Sequence, residues 1–318
     1  MKTKLKSTIE VVRYNPEWPK MFEFEASRIK EALGDNCIVI HHIGSTAVPL
    51  LLGRSELDIV VVVKDPVLAL AHLEAIGLEY KRECDVPLRY CFSKRGARDV
   101  NLHVYEEGHP EIESALVFRD YLKKFGAIRD DYSRLKKQLV REDQPLDEVH
   151  CLSDHYDLKK SEFIKEVLKD AGFDRIRIAK CSDVAEWEAA QQFRKAHFDA
   201  LKLTDPCAQL QAHADHVHLI LYRGMEAMGY AHIQFMPDAK AVLQVFTVTD
   251  IKKNQSFAGQ FLFQIEKWLK TQNCAIITLE TSLQASPFYK KNGYLGVPVE
   301  IIEGKEVDFK VVPLEKVL

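Results

Sequence analysis

The sequence predicts an α+β protein of two domains. Length is the first reason: 318 residues with 47% hydrophobic content supply two cores of ordinary size. Patterning is the second, because short alternating or continuously apolar runs are interspersed with stretches of helical period along the whole chain. A break near the middle is the third. The helical pattern of Phe163, Ile164, Val167 and Leu168 stops at Ala171-Gly172, and Arg175-Ile176-Arg177-Ile178 then alternates as a strand. Glycine at that point is where a helix C-cap belongs, so the boundary is expected there, dividing the chain into 1–172 and 173–318.

In the first part a helix is expected over 19–33, a short strand over 37–42, a very apolar strand over 57–63 and a helix over 66–76. Short strands at 90–93 and 100–105 follow, then helices around 113–125, 130–141 and 161–169. That order gives a small mixed sheet with helices. The second part reads as a strand at 175–179, helices at 184–198 and 205–215, and a hairpin of 217–223 with 227–235. A strand at 241–248, a loop, a helix at 257–270, a strand at 275–281, a helix at 286–291 and terminal strands complete a central mixed sheet flanked by helices. No internal repeat or low-complexity tract is present.

Composition narrows the partners. A formal charge of −3 leaves no electrostatic footprint for nucleic acid or an anionic membrane surface, and no apolar run reaches the roughly 20 residues a span needs. The seven cysteines are scattered, odd in number and never spaced C-x-x-C, which suits a reducing compartment. The segment 7–14 is too short and polar for a signal core. A cytoplasmic protein is expected, with neither nucleic acid nor membrane as partner.

Two segments carry chemistry. In the first domain His42-Ile43-Gly44-Ser45-Thr46-Ala47-Val48-Pro49 precedes Asp58-Ile59-Val60-Val61. A Gly-Ser turn followed by a strand with an inward carboxylate is the skeleton of a nucleotidyltransferase site: Gly44 admits a phosphate to the backbone, Ser45 donates to it, and Asp58 can ligate Mg²⁺. These residues resemble the GrpB family of the nucleotidyltransferase superfamily, and the likeness continues at Phe118-Arg119-Asp120-Tyr121-Leu122, Tyr132, Leu135-Lys136, Tyr156, Lys160 and Phe163-Ile164, covering about 9–171. A two-metal transferase offers Asp-x-Asp or Asp-x-Glu, whereas the second position here is Val60. Arg54-Ser55-Glu56-Leu57-Asp58 and Asn101-Leu102-His103 also depart from the family pattern. Asn101 and His103 fall on one face of their strand and, with His42 and Asp58, are expected to line a polar pocket. A ligand-binding or vestigial role is expected, with Mg²⁺-dependent nucleotidyl transfer as the alternative.

In the second domain Lys252-Lys253-Asn254-Gln255-Ser256-Phe257-Ala258-Gly259-Gln260-Phe261-Leu262 lies between a strand and an amphipathic helix. The unpartnered N–H groups of a first turn and the helix dipole make such a junction an anion site. The element order resembles the GNAT acyl-CoA N-acyltransferase family, as does Ser286-Pro287-Phe288-Tyr289-Lys290-Lys291-Asn292-Gly293-Tyr294, over about 175–312. That likeness places Asn254, Phe257 and Gly259 at the polar and two glycine positions of the family loop. It implies that backbone of Gln255, Ser256, Phe257, Ala258, Gly259 and Gln260 holds the CoA pyrophosphate. Val248 and Thr249 would meet the pantetheine, and Tyr289 would protonate the departing thiolate. Phe257 replaces a glycine, so its ring must turn away from the anion. Glu280 and His232 are the candidate general bases. His213-Ala214-Asp215-His216-Val217-His218 matches no metal spacing and reads as a polar helix end with exposed imidazoles, and Arg194, Lys195 and His197 read as a solvated helix face. The expected function is acetyl transfer from acetyl-CoA to a small-molecule amine, with noncatalytic CoA or nucleotide binding as a further alternative.

Overall fold

The computed structural model describes residues 10–96, 98–142, 152–205, 214–249, 255–297 and 311–318. The chain folds as two compact units, the first drawn from residues before Arg175 and the second from Arg175–Leu318 together with Asp85–Pro87. Each sheet is mixed and flanked by helices, in agreement with the α+β expectation.

The first unit runs α1 (Trp18–Leu33), β1 (Cys37–Ile43), β2 (Glu56–Val63), α2 (Pro66–Ala75), β3 (Glu79–Tyr80), β4 (Tyr90–Lys94), β5 (Asp99–Glu106), α3 (Pro110–Lys124), α4 (Gly126–Glu142) and α5 (Leu152–Asp170). Its strand order is β1-β2-β5-β4-β3, and β2 and β5 are parallel. Strand β2 reads as an unbroken apolar run because both faces are covered. Leu57, Ile59, Val61 and Val63 join Trp18, Ile29, Leu33, Ala69 and Leu73 in one core, and Val60 and Val62 pack toward Ile112, Ala115 and Leu116 of α3. A third cluster, Val48, Leu51, Leu122 and Tyr132 with Phe163, seats the loop between β1 and β2 under α3, α4 and α5. Asp65 caps α2 by accepting from the Val67 N–H at 2.8 Å, with Pro66 at the first helical position. Strand β3 was not foreseen, since two residues carry no period. Helix α5 begins nine residues before the expected start at 161. It ends as expected: Gly172 takes φ 74°, and Phe173 N–H donates to Leu168 C=O at 3.0 Å.

The second unit runs β6 (Ile176–Lys180), α6 (Val184–Leu201), β7 (His216–Arg223), β8 (Glu226–Met236), β9 (Lys240–Val248), α7 (Gln255–Thr271), β10 (Ile276–Ser282), α8 (Ser286–Lys291), β11 (Leu295–Gly296) and β12 (Val311–Val317). The sheet order is β11-β12-β10-β9-β8-β7-β6. A capping box between Asp183 and Glu186 starts α6. Most of the helix expected at 205–215 lies outside the described residues, and β7 begins at His216. The parallel pair β9–β10 is joined only through Ile276↔Lys240, Ile277↔Ala241 and Thr278↔Val242, so beyond Val242 and Thr278 the two strands part.

Candidate functional site

The turn after β1 is shaped around one carboxylate. Gly44 has φ 68°, and a Cβ there would lie 2.8 Å from Cβ and Cγ of Asp58. Gly53 is likewise excluded from carrying a side chain, because its Cβ would sit 2.7 Å from Ser45 Cβ. The result is a cavity of about 110 Å³ lined by Ser45, Arg54, Glu56, Asp58, Asn101, Lys136 and Lys160. Asn101 Nδ2 donates to Glu56 Oε2 at 2.8 Å and Asp58 Oδ1 at 3.0 Å, while Arg95 donates to Asn101 Oδ1 at 2.7 Å. Burial raises the Asp58 pKa, against the Asn101 hydrogen bond and the nearby Lys160.

Lys136 is the unusual member. It is 2% exposed, donates to Leu52 C=O at 2.8 Å and contacts Ser45 Oγ, and its ammonium lies 4.2 Å from the Tyr132 ring centroid. Burial, with Lys160 adding to it, lowers its pKa to about 7. Of the residues expected in this pocket, Gly44, Ser45, Asp58 and Asn101 come together. His42 and His103 do not. His42 stacks on Phe22 at 4.7 Å and bonds Thr46 Oγ1 at 3.0 Å, with burial pushing its pKa down to about 4. His103 lies beside Cys91 Sγ at 3.7 Å, and burial lowers its pKa to about 3. In the β2–β5 register His103 aligns with Val60, whereas Asn101 aligns with Asp58, so His103 sits one step further along the face.

The second candidate is the gap between the parted strands. Thr249 N–H donates to Met228 C=O at 2.7 Å, so that amide is already used. Alternation then turns the N–H and C=O of Val248, which pairs opposite Gly229, away from β8 and toward the side from which β10 has diverged. Phe246, on the same diverging half, meets Phe261 at 5.4 Å, Phe288 at 6.1 Å and Tyr289 at 6.2 Å. The Tyr289 phenol is buried, and burial raises its pKa. Helix α7 opens at Gln255; Ser256 and Gln260 are exposed, Ala258 is buried, and Gly259 faces Asn292, whose Oδ1 would be 3.7 Å from an added Cβ. Asn254 lies outside the described residues. The Phe257 ring is turned beneath the Arg223 guanidinium, 5.3 Å from Cζ to centroid. Glu280 stands exposed on the diverging part of β10.

His232 is placed very differently. It is fully buried and accepts from Arg194 at Nδ1 over 3.0 Å, which puts its proton on Nε2, donated to His216 Nδ1 at 2.6 Å. Burial and the neighbouring His218 and Arg194 push its pKa down to about 3. Three surface expectations fail here, at Arg194, His216 and His218, the His216 side chain being 7% exposed at the start of β7. Arg194 is 6% exposed, paired with Asp205 and bonded to Tyr230 Oη at 3.1 Å, so this arginine is a buried strut of α6. His218 is buried within β7 and stacked 4.5 Å from His232, since the strand starts earlier than a helix end would allow.

The GrpB protein family matches residues 8–170, half of the chain. The chain belongs to the GrpB family. UPF0157 protein BH1888 of Halalkalibacterium halodurans is 36% identical over 169 residues, 52% of this chain and 83% of that protein. The crystal structure of conserved protein GrpB from Enterococcus faecalis covers 51% of this chain and 98% of its own at 34% identity and a TM-score of 0.44. The second half matches an acetyltransferase of the GNAT family from Staphylococcus aureus, covering 45% of this chain and 99% of that one at 14% identity and a TM-score of 0.38.

The Mg²⁺ of the alternative, nucleotidyl-transfer reading does not fit the GrpB pocket. Three cations, Arg54, Lys136 and Lys160, line the space that two carboxylates share, and Asn101 occupies one oxygen of each. Among the described residues no group of three His, Cys, Asp or Glu is placed to hold a metal. The missed residues of the GrpB pocket are Arg54, Glu56, Lys136 and Lys160. Glu56 was legible, because strand alternation puts it on the Asp58 side, two residues before rather than at Val60. Lys136 was legible as a lysine on the apolar stripe of Tyr132 and Leu139. Arg54 and Lys160 carried no such signal.

Proposed function

We propose that the chain joins a GrpB-family domain, 1–172, to a GNAT-like acyltransferase domain, 173–318, that transfers an acetyl group from acetyl-CoA to the amine of a small molecule. The observation that carries this reading is the parting of β9 and β10 after three residue pairs. It leaves main-chain groups of Val248 facing a gap bordered by α7, α8 and Tyr289, where an extended amide chain can pair as a strand would. The first turn of α7 would offer its N–H groups to the pyrophosphate, with the Phe257 ring directed to the Arg223 guanidinium.

In the reaction the amine nitrogen attacks the thioester carbonyl, the C–S bond breaks and the thiolate departs. Backbone N–H at the open edge of β9 polarises the carbonyl. With its pKa raised, Tyr289 stays protonated and stabilises the thiolate as a hydrogen-bond donor. His232, locked between Arg194 and His216 and a very weak base, is unsuited to take the amine proton; Glu280, exposed on β10, is the better-placed acceptor. Calorimetry with acetyl-CoA and CoA tests the reading, and absence of binding at millimolar ligand sinks it. Where binding is found, Tyr289→Phe is expected to lower kcat by about 10- to 100-fold with CoA affinity unchanged.

A further inference from the structure

We propose that Ser45 and Lys136 form a nucleophile–base pair in the GrpB domain, in which Ser45 Oγ attacks the carbonyl carbon of a small acyl ester and the Lys136 amine takes the hydroxyl proton. This use of Ser45 differs from donation to a phosphate, and it is independent of acetyl transfer by the second domain.

The contact between the two side chains is the first observation. The Lys136 ammonium donates to Ser45 Oγ and, at 2.8 Å, to Leu52 C=O. A lysine that loses its proton keeps two N–H bonds and gains a lone pair that needs a donor. Leu52 C=O can only accept, whereas the Ser45 hydroxyl can turn to donate. The same contact therefore serves both protonation states, and in the neutral one it points the serine proton at its base. Lys136 is 2% exposed, which makes the charged form costly. Burial, joined by Lys160 of α5 and Arg54 of the β1–β2 loop and opposed by Asp58 of β2, lowers its pKa to about 7. Glu56 of β2 lines the same cavity, and on α4 itself the Tyr132 ring faces the ammonium at 4.2 Å. Both forms of Lys136 are thus populated at neutrality, as a general base requires.

Access is the second observation. Ser45 follows Gly44, whose left-handed φ of 68° ends β1, and the chain turns at once through Ala47 N–H to Gly44 C=O and Val48 N–H to Ser45 C=O, each 3.3 Å. A serine at such a corner presents its hydroxyl beyond the end of the strand. Ser45 is half-buried and lines the cavity beside Lys136. A flat acyl group can reach the hydroxyl while the amine behind it stays covered, which assigns Ser45 as nucleophile and Lys136 as base. As Oγ bonds to the acyl carbon its proton passes to Lys136 Nζ. The bond from that carbon to the leaving alcohol then breaks, and the departing oxygen takes the proton from Lys136. Water, deprotonated by the same amine, releases the carboxylic acid and restores the Ser45 hydroxyl.

The test is reaction of the full chain with a fluorophosphonate probe, located by peptide mass mapping, and with p-nitrophenyl acetate. Labelling of Ser45 is expected to rise with pH through about 7 and then level, as Lys136 loses its proton. It should fall about 100-fold or more in Lys136→Met and vanish in Ser45→Ala. Far-UV circular dichroism and the unfolding midpoint establish that both variants are folded; should Lys136→Met unfold, the pH profile of the unaltered chain decides. No label on Ser45, a label on Lys136 in its place, or an equal rate in folded Lys136→Met overturns the pair. So does a rate that climbs about tenfold per pH unit to about pH 9, as a serine without a base would give. Ester hydrolysis that falls in Ser45→Ala supports the acyl ester as substrate class, and labelling of Ser45 without such hydrolysis overturns that assignment.

Discussion

Among the described residues each domain holds one parallel strand pair inside an otherwise antiparallel sheet, and the two pairs are built to opposite ends. In the GrpB domain β2 and β5 stay in register from Glu56↔Asp99 to Val63↔Glu106. In the second domain β9 and β10 pair over three residues and separate. Continuous pairing consumes the backbone, so the chemistry of the first site is carried by side chains at the strand ends: Glu56, Asp58 and Asn101, with Lys136 and Lys160 brought over them. Early separation frees backbone, so the second site offers main-chain groups, and its side chains are mainly apolar or aromatic. The first site gathers opposite charges in a small space, and the second leaves a gap beside an unpaired stretch of strand.

The comparison can be broken most sharply at Gly44. Alanine there must adopt a left-handed conformation with its methyl driven into Asp58, and a loss of about 2 to 5 kcal/mol in denaturant unfolding is expected for the GrpB domain. A loss below about 1 kcal/mol would show that the carboxylate is not held as described. The counterpart in the other sheet is Gly229, where a Cβ would meet Thr247 C=O at 2.6 Å and Val248 Cα at 3.2 Å. Gly229→Ala is expected to cost about 1 to 3 kcal/mol and to weaken CoA binding by displacing the open edge of β9.

Lys136 sharpens the contrast in charge. Its folded pKa of about 7 is below that of an unfolded lysine, so between about pH 7 and 10 the unfolded chain binds one more proton and stability rises with pH. Below about pH 7 both states are protonated and the slope from this group vanishes. Unfolding at pH 7 and pH 9 should differ by about 2 kcal/mol from this group, a gain that Lys136→Met removes. The smallest effect is expected at Phe257. With its ring under Arg223, Phe257→Gly should cost about 1 kcal/mol from the lost cation–π contact and helix propensity, and change CoA affinity by no more than about threefold. A tenfold gain in affinity would mean that the ring obstructs the anion.

Much of both folds is legible in the sequence. The apolar run of β2, the alternation of β5, the amphipathic period of α1 and α4 and the glycine stop at Gly172 are local signals, set by which faces must leave water and by which residues tolerate left-handed backbone. The pairing of Gly44 and Ser45 with Asp58 was readable for the same reason, being a turn and the next strand. Even here the local signal is incomplete: it points to Val60 for a second carboxylate and puts His103 on the Asn101 face, whereas the register of β2 with β5 sets His103 opposite Val60, one step beyond the pocket.

What the sequence by itself determined is therefore the family, the element order and the residues contributed by single turns and strands. Tertiary structure alone decided that Lys136, 91 positions from Ser45, lies against it, that Arg194 is buried rather than solvated, and where β9 leaves β10. The physical reason is common to all three. A charge or an unpaired strand edge takes its meaning from the dielectric and partners supplied by distant segments, and no period along the chain encodes those.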